Sequence, residues 1–328
     1  MTKLSAILPI KTRGRHYADN IARCDILFSS LRAFSSPALF DRFVVVVPSN
    51  ELALAREYIK AWSDFPIDLV DESAHMGAFA EFSQPHQIRP WHRQQIIKLY
   101  APALIETEFF MVFDPDVFAV QPFTIDDLIL DGRALTYTQP RQREAHLWRP
   151  SAGLLRQDPY LDRTGIWWTP AILSRTLVSR LQHRLEELYQ RDWIRVLLSN
   201  YMINWTEYTL YWLNAEREGL IDQYHITPPP GCRGLHVDES VWYAGKGGRN
   251  LEQWQAAQHF GPEGQGLFAV VQSNTYLPPQ RVVEKLHPYF PIQLQPYQRQ
   301  TNPLLRTVEI YSALARRGLS LLRQMSGR

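Results

Sequence analysis

Between Leu4 and Asp116, apolar runs of strand length alternate with segments of helical period. The spacing predicts strands at Leu4–Ile10, Phe43–Val47, Ile67–Val70 and Phe109–Phe113, with helices at Tyr17–Arg32, Glu51–Lys60 and Trp91–Ala103 between them. Strand and helix alternating in this way is the pattern of an α/β layer fold with a mixed, mainly parallel sheet flanked by helices. Ligands in open α/β sheets bind beyond the carboxyl ends of the strands. Four strand ends therefore carry the first functional interest: Thr12-Arg13, Pro48-Ser49, Asp71-Glu72 and Asp114-Pro115-Asp116.

Beyond the fourth strand the texture changes. A helix is expected to begin at Thr169-Pro170 and to run through Leu173, Leu177, Leu181, Leu185 and Leu188 at four-residue spacing. A second is expected over Thr206–Glu218, stopped by Gly219. Proline and glycine make Thr227–Gly248 read as loops, and a last strand is expected at Leu267–Gln272. From Leu304 onward, Val308, Tyr311, Leu314 and Leu322 approximate one apolar face beside Arg306, Arg316, Arg317 and Arg323. Such a basic amphipathic helix suits an anionic membrane surface, or equally packing on its own domain or a partner subunit. Neither an internal repeat nor a linker divides the chain, so 1–295 is read as one domain, with halves 1–120 and 121–295, and 296–328 as an extension.

Composition narrows the classes. Thirty-five Lys plus Arg against thirty-three Asp plus Glu leave a formal charge of +2, so no global field argues for nucleic acid. Cys24 and Cys232 make no disulfide framework and lack metal or redox spacing, which fits a reducing cytoplasm. The apolar run Ser5–Ile10 is too short for a signal peptide, and no stretch reaches membrane-spanning length.

Chemistry concentrates where the greasy strand Phe109–Phe113 runs into Asp114-Pro115-Asp116. A hard divalent cation that already carries a diphosphate needs only one or two protein carboxylates. Just upstream, a helix through Trp91-His92-Arg93-Gln94-Gln95-Ile96-Ile97-Lys98-Leu99 puts Gln94 and Lys98 on a polar face with Trp91, opposite Ile96 and Leu99. From there Gln94 and Lys98 would hydrogen-bond and neutralise a diphosphate. Aromatic rings gather at Gly165-Ile166-Trp167-Trp168 and Val241-Trp242-Tyr243; were a sugar to be recognised, its C–H faces would pack there, with Gly165, Trp167 and Trp242 as the acceptor contacts.

Taken in order, Arg93-Gln94-Gln95-x-x-Lys98-Leu99, Phe113-Asp114-Pro115-Asp116-Val117 and Thr206-Glu207-Tyr208 resemble the motifs of a bacterial glycosyltransferase family of the GT-A type. The resemblance covers roughly residues 1 to 295 and implies a GT-A-like single domain that uses a nucleotide-diphosphate sugar and Mn²⁺ or Mg²⁺. By position it implies donor contacts at Thr12, Arg13 and Asp71, a metal held by Asp116 with Asp114, and Glu207 as the general base of an inverting transfer. Asn204-x-x-Glu207 also reads as a capping box, which would make Glu207 structural. His259-Phe260-Gly261 is similar to a metal-binding histidine loop of some retaining relatives, making His259 a candidate third ligand. The implied acceptor is a saccharide or lipid-linked saccharide of bacterial surface polysaccharide or lipopolysaccharide assembly, reached from the cytoplasm or the inner-membrane surface.

Other classes compete. A sugar nucleotidyltransferase shares the layered fold but should carry a Gly-rich basic loop after the first strand, where only Thr12-Arg13-Gly14-Arg15 stands. A haloacid-dehalogenase-type phosphatase places its Asp-x-Asp near the domain start, and Phe118 holds its discriminating position here. A non-catalytic carbohydrate-binding protein would need none of Lys98, Asp114, Asp116 and Glu207 together.

Overall fold

The computed structural model describes residues 3–13, 19–81, 90–242, 251–275 and 277–297. Its centre is a five-stranded sheet containing β1 (Leu4–Pro9), β2 (Phe40–Val47), β3 (Ile67–Asp71), β4 (Phe109–Val112) and the strand Ala171–Ser174. Strands β3, β2, β1 and β4 are neighbours in that order and run parallel, and Ala171–Ser174 closes the β4 edge antiparallel.

Burial on both faces explains the near-continuous apolar runs of these strands. Alternate residues feed separate cores: Ile7, Val44, Val46, Phe110 and Val112 face one, while Leu8, Val45, Val47, Met111 and Phe113 face the other. The first core is covered by the helices Pro90–Leu99, Arg175–Tyr189 and Glu207–Arg217, the second by the helix Asp19–Phe34. A smaller three-stranded sheet joins Gly234–His236, Gly266–Val270 and β5 (Val117–Ala119), the strand that leaves the Asp114–Asp116 turn. Gly266 permits its pairing, because a Cβ there would lie 2.3 Å from the backbone of His236.

Two expected elements differ. The chain after Thr169-Pro170 is a strand, because Ala171, Ile172 and Leu173 form a buried run that pairs with Val112, Met111 and Phe110. The helix starts five residues later than expected, at Arg175, where Ser174 caps it by accepting the Leu177 N–H at 3.1 Å. Leu177, Leu181 and Leu185 keep their buried stripe. Within the expected loop region, Gly234–His236 is a strand rather than a loop. The basic helix expected from Leu304 lies outside the described residues. Among the described residues no helix is long and apolar enough to cross a membrane.

Two histidines are sealed into the packing. The His225 ring is held by Tyr211 Oη at 2.6 Å, and the His236 Nε2–H donates to the Pro170 carbonyl at 2.7 Å. Burial lowers their pKa values to about 3 and about 4. The unfolded chain takes up these protons near pH 6.5 while the folded chain refuses them, so this stability is complete above that pH and drains away as pH falls. Denaturant titrations at pH 7 and pH 5 should differ by on the order of 3 kcal/mol, the slope flattening in His225→Gln and His236→Gln.

Candidate active site

Chain order moves from β1 outward to β3 and then returns to the other side of β1 with β4, so the sheet has its switch point between β1 and β4. A crevice opens at the carboxyl ends of strands where the order reverses in this way. The Thr12-Arg13 turn follows β1 there and the Asp114–Asp116 turn follows β4.

Between Asp114 and the helix Glu207–Arg217 stands Lys98. Its ammonium is 2.9 Å from Asp114 Oδ1 and 3.0 Å from Glu207 Oε1, and it lies 5.4 Å from the centre of the Tyr208 ring. The Lys98 and Glu207 side chains are each 1% exposed, while Asp114 is 24% exposed. Burial alone would depress the ammonium, but Asp114 and Glu207 outweigh it and hold its pKa well above the ordinary value. Lys98 is therefore a charged hinge pin between strand and helix rather than part of a solvated face. Glu207 reaches it because Thr206 caps the helix with Thr209, and because Gln95 Oε1 accepts the Glu207 N–H at 3.1 Å. The capping box is thus Thr206 with Thr209; Glu207, one position into the helix, takes no part in it. Its Oε2 has no hydrogen-bond partner among the described residues. Burial pushes the Glu207 carboxyl up, Lys98 pulls it down and Asp114 adds to the rise.

Asp116 faces the smaller sheet. Its Oδ2 accepts the Ser273 N–H at 2.6 Å, and its carbonyl accepts the Val271 N–H at 3.1 Å. Burial and the neighbouring Asp114 push its carboxyl up, opposed by the Ser273 hydrogen bonds and the charge of Arg23, which lines the same small cavity. Two cations, Lys98 and Arg23, thus stand against three carboxylates, and the excess negative charge rests on the half-buried turn.

Hard oxygen donors on one turn fit Mg²⁺ or Mn²⁺, whose shells are commonly completed by substrate phosphate and water. No group of three or more His, Cys, Asp and Glu gathers among the described residues, so protein ligands alone do not make a cage. His259 is not brought into such a set; it stacks on Trp254 at 5.4 Å, in the core under the smaller sheet.

The remaining expected residues are spread unevenly. Thr12 and Arg13 donate their backbone N–H groups, and Thr12 its hydroxyl at 2.8 Å, to the buried carboxylate of Glu51. Asp71 caps the short helix Glu72–His75 by accepting the Ser73 N–H and also accepts the Ser49 hydroxyl at 2.6 Å. Gln94 is half-buried, and Gln95 beside it makes the contact to Glu207. Gly165 is a packing position, since a Cβ would meet the Trp148 ring at 2.3 Å. Trp167 packs on the first core, and Trp242 lies 4.7 Å from Trp168. Glu51 and Arg23 escaped the sequence reading, each a polar residue in an unremarkable local pattern, and Gln95 entered it only as part of a motif; the long-range fold shows the partner of each.

These features define an α/β protein with a charged crevice at the β1/β4 switch point. By sequence the chain belongs to the family of unknown function DUF6492, whose model matches residues 1–294. No curated protein matches it by sequence. Among solved structures, it is similar to the apo form of mouse xyloside xylosyltransferase 1 at 11% identity, covering 84% of this chain and 99% of that one with a TM-score of 0.47. It is also similar to the mannosyltransferase Ktr4p of S. cerevisiae at 10% identity, covering 65% of each chain with a TM-score of 0.41. A third similarity is to core-mannan synthase A of Aspergillus fumigatus in its Mn/GDP form, at 10% identity and a TM-score of 0.38, covering 64% and 69%.

Proposed function

We propose that this protein is a metal-dependent, GT-A-type glycosyltransferase that moves a sugar from a nucleotide-diphosphate sugar to a saccharide or lipid-linked acceptor. The single observation that carries this reading is the Lys98 bridge, which ties together the three separate motifs of the sequence at one strand-end crevice. The setting proposed is bacterial surface polysaccharide or lipopolysaccharide assembly, in the cytoplasm or against the inner membrane.

Asp116 and the free oxygen of Asp114 would hold the cation, which when bound acts as a Lewis acid toward the diphosphate. Lys98 keeps Asp114 oriented and adds positive charge beside the departing diphosphate. Donor contacts from Gln94, Thr12, Arg13 and Asp71 belong to the same proposal, Thr12 and Arg13 through side chains because Glu51 already takes their N–H groups. That occupancy also leaves the Thr12 and Arg13 N–H groups unavailable to a phosphate of the kind a nucleotidyltransferase would hold after β1.

Glu207 is revised. A general base must come within hydrogen-bond reach of an acceptor hydroxyl, whereas this carboxylate is 1% exposed and ion-paired to Lys98. It acts as a positioning residue, and the preference for inversion, which rested on it, is not carried forward.

Thermal unfolding with GDP, UDP or CDP, each with and without Mn²⁺, tests the reading. At least one nucleotide should raise the midpoint by several degrees in the presence of Mn²⁺ only; no shift in any combination overturns the proposal.

A further inference from the structure

Neither the sequence motifs nor the Lys98 bridge accounts for Arg23. It belongs to the helix Asp19–Phe34 and is 7% exposed, and a guanidinium taken so far out of water is costly unless it faces a carboxylate. Arg23 lines a cavity of about 10 Å³ together with Asp116, Gln272 and Thr275, the space of a single water and too little for a hydrated cation. Of the charges around it, Asp116 acts on it most strongly, ahead of Asp19, whose Oδ1 accepts the Tyr297 hydroxyl at 3.2 Å. The guanidinium is also fixed in place. Its Nη1–H donates to Asn20 Oδ1 at 2.9 Å, and the Asn20 amide donates in turn to the Lys11 carbonyl at 2.9 Å, just beyond β1.

Both carboxylates of the turn are therefore partly committed before any cation arrives. Asp114 gives Oδ1 to the Lys98 ammonium at 2.9 Å, and Asp116 gives Oδ2 to the Ser273 N–H at 2.6 Å with Arg23 beside it. Two fixed positive charges repel a bare divalent ion. They do not repel the complex of that ion with a nucleoside diphosphate, whose net charge is negative and whose phosphate oxygens complete the metal's shell.

We infer that Arg23 is a positioning residue that acts through Asp116 to select the loaded cation: its fixed charge opposes a bare divalent ion at the turn and favours the same ion carried by a nucleoside diphosphate. The inference rests on the transferase reading for the identity of that ligand and adds an order of loading to it. Lys98 contributes to the same field but also joins strand to helix, whereas the charge at position 23 can be altered with the Lys98 bridge intact.

Calorimetric titration of the full chain with Mn²⁺, alone and in the presence of GDP, UDP or CDP, tests it in wild type, Arg23→Gln and Arg23→Lys. Glutamine keeps a donor toward Asn20 and removes the charge, and lysine keeps the charge. Arg23→Gln should bind Mn²⁺ alone about tenfold more tightly than wild type while binding the Mn²⁺–nucleotide pair no more tightly. Arg23→Lys should return the affinity for Mn²⁺ alone toward the wild-type value. A merely structural role for Arg23 would weaken both affinities together. Affinity for Mn²⁺ alone that is unchanged or weaker in a folded Arg23→Gln chain overturns the inference. So does a nucleotide-binding wild type that takes up Mn²⁺ equally tightly without the nucleotide, a result that decides even if Arg23→Gln fails to fold. The two readings fail separately. Tighter Mn²⁺ binding in Arg23→Gln without any nucleotide response rejects the transferase and leaves the opposition of Arg23 to a bare cation standing, whereas a nucleotide response with unchanged Mn²⁺ affinity in Arg23→Gln rejects only the role of Arg23.

Discussion

Lys98→Met is expected to lower folding stability by about 5 kcal/mol, the upper end of the cost of removing one partner from a buried ion pair. The reason is arithmetic on charge. Glu207 is 1% exposed and has Lys98 as its counter-ion, and the same ammonium also serves Asp114. Methionine fills the space of the lysine stem and leaves two carboxylates facing each other across an apolar gap. The Glu207 carboxyl, already raised by burial and by Asp114, would take up a proton to escape. Urea denaturation of Lys98→Met and of the double variant Lys98→Met/Glu207→Gln distinguishes charge from packing. The double variant should recover more than half of the loss, because its neutral amide needs no counter-ion. Equal loss in both variants would show that the uncompensated charge of Glu207 is not the source of the destabilisation.

Asp116→Asn is expected to separate metal-dependent binding from folding stability. Manganese-dependent nucleotide binding, and turnover with it, should fall by at least about a hundredfold, because removing an interaction of roughly 3 kcal/mol at a charged centre changes an equilibrium by that factor. Stability should change by less than about 1 kcal/mol, since Asp116 is held against its like-charged neighbour Asp114, and an asparagine carbonyl still accepts the Ser273 N–H. Calorimetric titration of Mn²⁺ with GDP or UDP, alongside the urea curve, reads both quantities. Unchanged metal-dependent binding in a folded Asp116→Asn chain would remove this residue from the site.

How far the sequence could be read depended on whether its signal was local. Strands β1 to β4 were legible because residues such as Val44 to Val47 are buried on both faces and carry no polar interruption. The Asp114–Asp116 turn was legible because it ends such a run. Lys98 was legible as part of a ligand-facing polar helix face, but helical periodicity only groups polar residues and does not show what that face meets, here Asp114 and Glu207, residues distant in the chain. Gln94 and Gln95 could not be separated by type, and only the approach of the Glu207 backbone selects Gln95. At Thr169-Pro170 a good helix-start pattern lost to the open edge of β4, since a buried strand pairing offers more than an isolated first turn. His259, read by likeness of its loop, stacks in a core the motif does not describe.

The buried lysine also constrains how this family can diverge. An ammonium shared by one strand and one helix couples positions 98, 114 and 207, so drift at any one of them exposes the others to an uncompensated charge. Members that have lost the lysine should have lost the glutamate as well, as a neutral or apolar pair. In such lineages the aspartate at the strand end, released from its internal partner, would be the residue to show whether the ancestral chemistry was kept or abandoned.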